Sequence, residues 1–168
     1  MTNETTQQVP MTAEPQREHH WLQRLVGEWT YESEASMGPD QPAQKTTGTE
    51  TVRPIGGIWI VCQGTSQMPD GSPASTILTV GYDPDKKRFV GTWIGSMMTH
   101  LWIYDGSLVG NVLTLDCEGP SMAGDGGTAK YQDIIELASD DHRIMRSRMF
   151  GDDGQAQVFM TAHYRRTG

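Results

Sequence analysis

The chain has 168 residues, the length of one ordinary domain, which excludes a second sizeable hydrophobic core. Its hydrophobic fraction of 36% and its 19 glycines are typical of a globular protein rich in turns, which excludes a chain that is disordered throughout. A formal net charge of −8 repels polyanions and therefore argues against nucleic acid as a partner.

The N-terminal residues are polar. Residues 1–12 contain little that could be buried, so we predict a disordered lead-in there. They lack the basic start and the apolar run of a secretory signal, and no window approaches the roughly 18 apolar residues that a membrane span needs. The sequence therefore predicts a cytoplasmic protein whose single folded domain covers residues 13–168.

One helix and ten strands are predicted along this domain. Apolar residues recur at helical spacing between residues 13 and 26, and Gly27 follows as a C-terminal stop. From Glu28 onward the apolar residues come in short alternating or β-branched runs. The predicted strands are Glu28–Met37, Lys45–Arg53, Ile58–Gln67, Ser75–Tyr82, Arg88–Ser96, Met98–Tyr104, Val112–Glu118, Ala129–Leu137, Arg143–Phe150 and Gln155–Arg165.

Turn sequences separate most of these strands. They are Pro69–Gly71, Asp83–Asp85, Asp105–Gly106, Asp140–Asp141 and Asp152–Gly154. Connectors of this length pair each strand with the next in antiparallel fashion, and a sheet of so many strands removes its edges most simply by closing on itself. We therefore predict an all-β, up-and-down barrel with the helix capping one end.

A short motif at the start of the first strand points to the same fold. Gly27-Glu28-Trp29 resembles the GxW signature of the lipocalin-like barrels, which include the fatty-acid-binding type. The resemblance implies that Trp29 packs at the closed end against a basic residue of the last strand, here Arg165 or Arg166. A guanidinium over an indole ring is worth roughly 0.5–2 kcal/mol.

More of the chain is similar to the bacterial domain-of-unknown-function family 1579. The matching segments, in order, are His20–Leu22, Leu25–Trp29, Gly56-Gly57, Gly81–Asp83, Gly91–Ile94 and Tyr164–Arg166. This resemblance implies a lipocalin-like barrel and no established activity. Gly95 stands where such families usually have Asp, so the sequence departs from the family pattern there.

The segment from Gly91 to Tyr104 is the best candidate for a ligand site. Two adjacent strands there bring aromatic residues, methionines and one histidine together, and alternate residues of each strand share a face. The candidate ligand-binding residues of this segment are Trp93, Met97, His100, Trp102 and Tyr104. The alternative is an ordinary barrel core filled by Trp and Met.

His163, on the last strand, is a further candidate ligand-binding residue. Its position resembles that of the proximal haem ligand of the nitrobindins, which implies a haem-binding alternative in which His163 or His100 serves a His-dependent enzyme. No cofactor or metal is otherwise predicted, because no metal-binding motif is present and the adjacent His19 and His20 point about 100° apart on a helix. Cys62 and Cys117 are read as buried thiols.

Alternation divides the residues of two strands into two faces but does not show which face is inside the barrel. On the ninth strand, Arg146 and Arg148 alternate with Met145 and Met149. If the arginines face inward, they would capture an anionic group inside the barrel. If the methionines face inward, the arginines lie on the surface. The sequence slightly favours this second arrangement. On the first strand, the glutamates 32 and 34 are predicted to form the solvated face.

These observations favour a barrel that binds a small hydrophobic or anionic molecule. No catalytic motif supports an enzyme, so whether the protein catalyses a reaction is left undecided. The alternatives are the haem-binding or His-dependent enzyme and a structural or protein-interaction module, and the oligomeric state is not predicted.

Overall fold

A computed structural model describes residues 12–36 and 40–168 of the chain. The predicted lead-in lies outside this part except for Thr12, and so does Met37, the predicted end of the first strand. The elements in chain order are α1 (Arg17–Gln23), β1 (Gly27–Ala35), β2 (Gln44–Ile55), β3 (Trp59–Gln67), β4 (Pro73–Asp83), β5 (Arg88–Gly95), β6 (Trp102–Val109), β7 (Val112–Pro120), β8 (Thr128–Ser139), β9 (His142–Phe150) and β10 (Ala156–Arg166).

The ten strands form one closed barrel. Each strand pairs in antiparallel fashion with the next along the chain, and β1 pairs with β10 to close the sheet. Trp29 and Arg166 are the first pair of residues in the β1–β10 register. The predicted up-and-down barrel with about ten strands is therefore confirmed.

The helix caps one end of the barrel, which we call the closed end. Trp21 and Leu22 of the helix and Leu25 after it are buried. The helix contacts β3 and β4, and the side chain of His19 lies 3.0 Å from the main-chain oxygen of Tyr82. The helix is shorter than its predicted span of residues 13–26, because Gly27 begins β1 and the turn after Gln23 is not helical.

One predicted turn is wrong. Asp105 and Gly106 lie inside β6, which begins at Trp102 rather than at Met98 and continues to Val109. Asp105 points outward and forms an ion pair with Arg88, while Gly106 lies so close to β7 that a β-carbon there would overlap the main chain of Thr114. The chain reverses at Gly110-Asn111 instead, with Gly110 at a φ of 61°.

The inner and outer faces of β9 are settled by packing. Met145 and Met149 pack against the core inside the barrel. Arg146 and Arg148 lie on the outer face, where they contact Glu136 and Gln132 of β8, so they cannot hold an anion inside the barrel.

Other predictions about single residues are also decided by the structure. Glu32 and Glu34 are exposed, as predicted for the solvated face. Cys62 and Cys117 are both buried and unbridged. In the described parts of the chain, no helix is long and apolar enough to cross a membrane.

Candidate functional site

The interior of the barrel has two different halves. Toward the closed end the inward-facing side chains are tightly packed: Leu25, Trp29, Phe89 and Leu113 are each at most 2% exposed. Toward the opposite end many inward-facing residues stay partly accessible to water. They are Tyr31, Ser33, Thr46, Thr76, Trp93, Trp102, Asp133, Met145 and Met149. The inward-facing surface of this second half is the cup of the barrel.

The two sides of the cup differ in side-chain size. Strands β1 to β4 contribute mainly small residues, namely Ser33, Thr46, Gly48, Gly64, Ser66, Ala74 and Thr76. Strands β5, β6 and β8 contribute the aromatic wall, which consists of Trp93, Trp102, Tyr104 and Tyr131. Small side chains of β1 to β4 therefore face large ones of β5, β6 and β8 across the barrel, and of the aromatic wall Trp93 and Trp102 stay partly accessible.

The rings of the two tryptophans of this wall lie close against glycines. Trp93 and Trp102 are partners in the β5–β6 register. A β-carbon on Gly95 would overlap the ring of Trp93, and one on Gly119 would overlap the ring of Trp102. Trp102 also makes an edge-on contact with Tyr131, at 5.1 Å between ring centroids. The glycines therefore fix the orientation of the aromatic wall.

A carboxyl group lies deep in the cup. Asp133 of β8 accepts a hydrogen bond from the hydroxyl of Tyr104 and another, of 2.5 Å, from the hydroxyl of Ser147. Ser147 is its register partner on β9, and Tyr104 reaches it from β6. Three strands thus meet at this one carboxyl group.

Burial controls the proton affinity of this group. It raises the pKa of Asp133 above its usual value, although the hydrogen bonds from Ser147 and Tyr104 work in the opposite direction. Burial, with the nearby carboxylate second, raises the pKa of Tyr104 well above its ordinary range. Tyr104 is therefore a hydrogen-bond donor to Asp133 at neutral pH.

An ion pair lies between the cup and the closed end. Arg143 of β9 donates to Glu50 of β2, and both side chains are at most 9% exposed. The guanidinium of Arg143 lies 4.0 Å from the ring centroid of Tyr164 and 4.9 Å from that of Trp29. Burial lowers the pKa of Arg143 to about 10, which still leaves it charged at neutral pH.

One of the two arginines that are predicted to contact Trp29 at the closed end does so. Arg166 lies 4.3 Å from the ring centroid of Trp29, whereas Arg165 is exposed. Arg166 and the buried Arg143 therefore both contact Trp29, whereas the motif predicts a basic residue of the last strand alone.

The structure brings three of the six predicted ligand residues together. Trp93, Trp102 and Tyr104 form most of the aromatic wall. Met97 lies at the rim in the β5–β6 connection and is 40% exposed. Of residues 91 to 104, those on β5 and β6 thus contribute one side of the cup, whereas Met97 and His100, which alternation groups with them, lie in the connection between these strands.

His163 lies away from the cup. It is exposed on the outer face of β10, where its Nδ1 is 3.0 Å from Nε2 of His142. A haem inside the barrel would therefore need a different axial ligand, and the presence of haem stays an untested prediction.

His100 lies beside a cleft on the outside of the barrel wall. Its Nε2 is 3.1 Å from the main-chain oxygen of Glu118. The cleft has a volume of about 660 Å³ and is lined mainly by outward-facing side chains, which include Ile103, Gln132 and Phe150. It lies where β6 and β7 stop pairing beyond Asp105 and Asp116. The inward-facing residues Cys117 and Tyr131 also line this cleft, and the ring of His100 contacts that of Trp102 edge-on at 4.7 Å between centroids. His100 therefore lies beside the cup and contacts its aromatic wall.

Sequence reasoning missed the polar residues of the interior. Asp133, Ser147, Glu50 and Arg143 were not singled out. A signal was present for two of them, because Arg143 and Ser147 alternate in phase with Met145 and must share its inward face.

Metal binding finds no support in the described ranges 12–36 and 40–168. No group of three or more His, Cys, Asp and Glu side chains there is placed to hold a metal ion.

Solved structures with the same fold are distant in sequence. The structure of Rv2717c from M. tuberculosis matches 92% of this chain and 100% of its own, with a TM-score of 0.58 and 13% identity. The S-type phycobiliprotein lyase CPES from Guillardia theta matches 92% of this chain and 99% of its own, with a TM-score of 0.53 and 15% identity.

A third structure, EF1p2_mFAP2b bound to DFHBI, matches 89% of this chain and 99% of its own, with a TM-score of 0.50 and 17% identity. At these identities the similarity shows the barrel fold alone. The sequence finds no match among curated proteins. The model of the family described as protein of unknown function (DUF1579) matches residues 14–166. The chain therefore belongs to the DUF1579 family.

Proposed function

We propose that the protein binds a small, largely apolar molecule in the cup. The observation that carries this proposal is the contrast between the two halves of the interior. A barrel that served only as a packed scaffold would bury its inward-facing residues at both ends, yet Trp93, Met145 and Met149 face inward and remain accessible.

The lining of the cup fits an apolar ligand. Trp and Tyr rings present large rigid surfaces, and methionine side chains adapt to irregular shapes. Apolar surface removed from water on binding contributes roughly 25 cal/mol per Å², so contact with the aromatic wall can supply most of the affinity. Asp133 and its two partners would fix the orientation of the ligand, since a few polar groups in an apolar pocket determine specificity.

A structure with the same fold gives further support. EF1p2_mFAP2b is bound to DFHBI, and its chain matches most of the present chain. A barrel of this kind can therefore hold a small molecule, which makes the same use of this interior reasonable.

Titration with the neutral apolar fluorophore N-phenyl-1-naphthylamine tests the proposal. We expect saturable binding of one molecule per chain, with a rise in probe fluorescence. Thr76→Trp replaces a small, partly accessible inward-facing side chain by a large ring that projects into the cup, and should abolish binding. The matched control is Ser75→Trp, the neighbouring position, which is exposed on the outer face.

Two results would contradict the proposal. One is the absence of saturable binding to the folded wild-type protein. The other is equal binding by Thr76→Trp and Ser75→Trp, which would place the probe outside the cup. Circular dichroism of both variants establishes that they are folded before the comparison is made.

A further inference from the structure

Asp133 is a carboxyl group without a charged partner. Its contacts are the two hydroxyls of Tyr104 and Ser147. None of the ion pairs in the described part of the chain includes it. The other interior carboxyl, that of Glu50, is already paired with Arg143. The cup therefore holds one acid whose charge no protein cation offsets.

This carboxyl group has acceptor capacity to spare. An ionised carboxylate offers about four lone-pair sites, and the two hydroxyls occupy two of them. Asp133 also keeps part of its surface accessible although it lies deep in the barrel. A hydrogen-bond donor that enters the cup would therefore find unused acceptor positions.

The surroundings of Asp133 favour a positive charge. Tyr131 precedes it by two residues on the same face of β8, and Tyr104 donates to it directly. Trp102 precedes Tyr104 by two residues and is the register partner of Trp93. Aromatic faces attract ammonium groups, and the attraction grows when water is excluded. Aromatic rings beside an unpaired carboxylate are a combination suited to an organic cation.

The other charges of the molecule also favour binding of a cation. The strand residues that face into the cup include no Lys, Arg or His among those the structure describes, while His100 of the β5–β6 connection contacts the ring of Trp102. The formal net charge of −8 attracts cations to the protein. Burial raises the pKa of Asp133 because the interior disfavours its ionised form, so a cation beside the carboxylate would offset that cost.

We infer that the ligand of the cup is an organic cation, an apolar molecule whose ammonium group contacts the Asp133 carboxylate and the aromatic wall. This inference rests on the proposed function, because it assigns a ligand class to the same cup.

A pair of isosteric ligands separates charge from shape. Phenyltrimethylammonium and tert-butylbenzene differ in having a nitrogen cation or a neutral carbon at the branching atom. Each is titrated against the bound N-phenyl-1-naphthylamine at pH 7.5, and its affinity is obtained from displacement. We expect the cation to bind at least about tenfold more tightly than the neutral isostere.

The variant Asp133→Asn tests the role of the carboxylate. It keeps the shape and an acceptor oxygen while removing the charge. We expect it to lower the affinity of the cation by about tenfold or more and to leave that of tert-butylbenzene unchanged. Glu118→Gln is the matched control, because it removes an exposed outward-facing carboxylate from β7 and should change neither affinity.

The outcomes distinguish binding of a small molecule in the cup from a preference of the cup for a cation. Probe binding in the cup with no preference for the cation would overturn the inference and leave the proposed function standing. An equal effect of Asp133→Asn on both ligands would also overturn it. Failure of the probe itself to bind would overturn the proposed function and the inference together.

Discussion

The guanidinium of Arg166 lies over the ring of Trp29 and also donates to the main-chain oxygens of Val26 and Arg24, at 2.6 and 2.7 Å. One side chain thus joins the last strand, the first strand and the segment after the helix. Gly27 is needed beside it, because its φ is 143° and a β-carbon there would overlap the guanidinium. This explains both fixed positions of the Gly-x-Trp motif.

Trp29→Ala should destabilise the protein by roughly 3–5 kcal/mol, the usual loss for a buried aromatic residue. Trp29 is 1% exposed and contacts both Arg143 and Arg166, so the loss exceeds that of a surface tryptophan. Chemical denaturation measures it. The control is Trp59→Ala, at a site that is 39% exposed, where a smaller loss is expected. Equal losses at the two sites would contradict this account of the closed end.

The Glu50–Arg143 pair should behave as one unit. Arg143→Met leaves the Glu50 carboxylate buried and unpaired, and we expect a loss of about 3–5 kcal/mol in the free energy of unfolding. Adding Glu50→Leu removes the stranded charge, so the double variant should lose less than the sum of the two single variants. Denaturation of the four proteins of this cycle gives the coupling energy. Additive losses would mean that the pair does not couple.

The stability of Asp133→Asn relative to wild type should rise with pH. The folded-state pKa of Asp133 lies above its ordinary value of 3.8. Below pH 3.8 the wild-type protein has the full stabilisation that comes from protonated Asp133, and it loses this stabilisation as the pH rises through the folded-state pKa. The asparagine of the variant does not titrate, so the stability of the variant relative to wild type rises. Thermal unfolding of both proteins between pH 4 and pH 8 measures the difference. A difference that is constant, or that falls as the pH rises, would contradict the buried state of this carboxyl group.

Both cysteines should be unreactive in the native protein. Burial raises the pKa of each thiol to about 12, so only about one thiol in ten thousand is ionised at pH 8. We expect a thiol-specific disulfide reagent to label neither Cys62 nor Cys117 within minutes at pH 8, and to label both in guanidinium chloride. Rapid labelling of native Cys117, which is one of the residues that line the outer cleft, would contradict the expected protection of its thiol. The variant Cys117→Ser identifies the reactive thiol.

Much of the fold could be predicted because its signals are local. Alternation along each strand and short connectors are enough to indicate an antiparallel barrel. The turn predicted at Asp105-Gly106 is wrong because the same dipeptide is favourable in a turn and is also tolerated in a strand. Its place in β6 depends on the ion pair with Arg88 and the close approach to β7, which are contacts between strands.

The cup could be predicted on one side only. Trp93, Trp102 and Tyr104 lie close together in the sequence, so alternation places them on a common wall. Asp133 meets Ser147 and Tyr104 through the registers of β6, β8 and β9, which a single sequence does not reveal. Glu50 and Arg143 are 93 residues apart, and only closure of the barrel brings them together.

Binding in the cup can be measured by native mass spectrometry of the protein purified from its own host, with the denatured mass of the same sample as the reference. We expect an excess mass of one small molecule per chain that is lost on denaturation. The excess should be present in Ser75→Trp and absent from Thr76→Trp. The bare chain mass for all three proteins, even after incubation with excess N-phenyl-1-naphthylamine, would contradict the claim that the cup is a binding site.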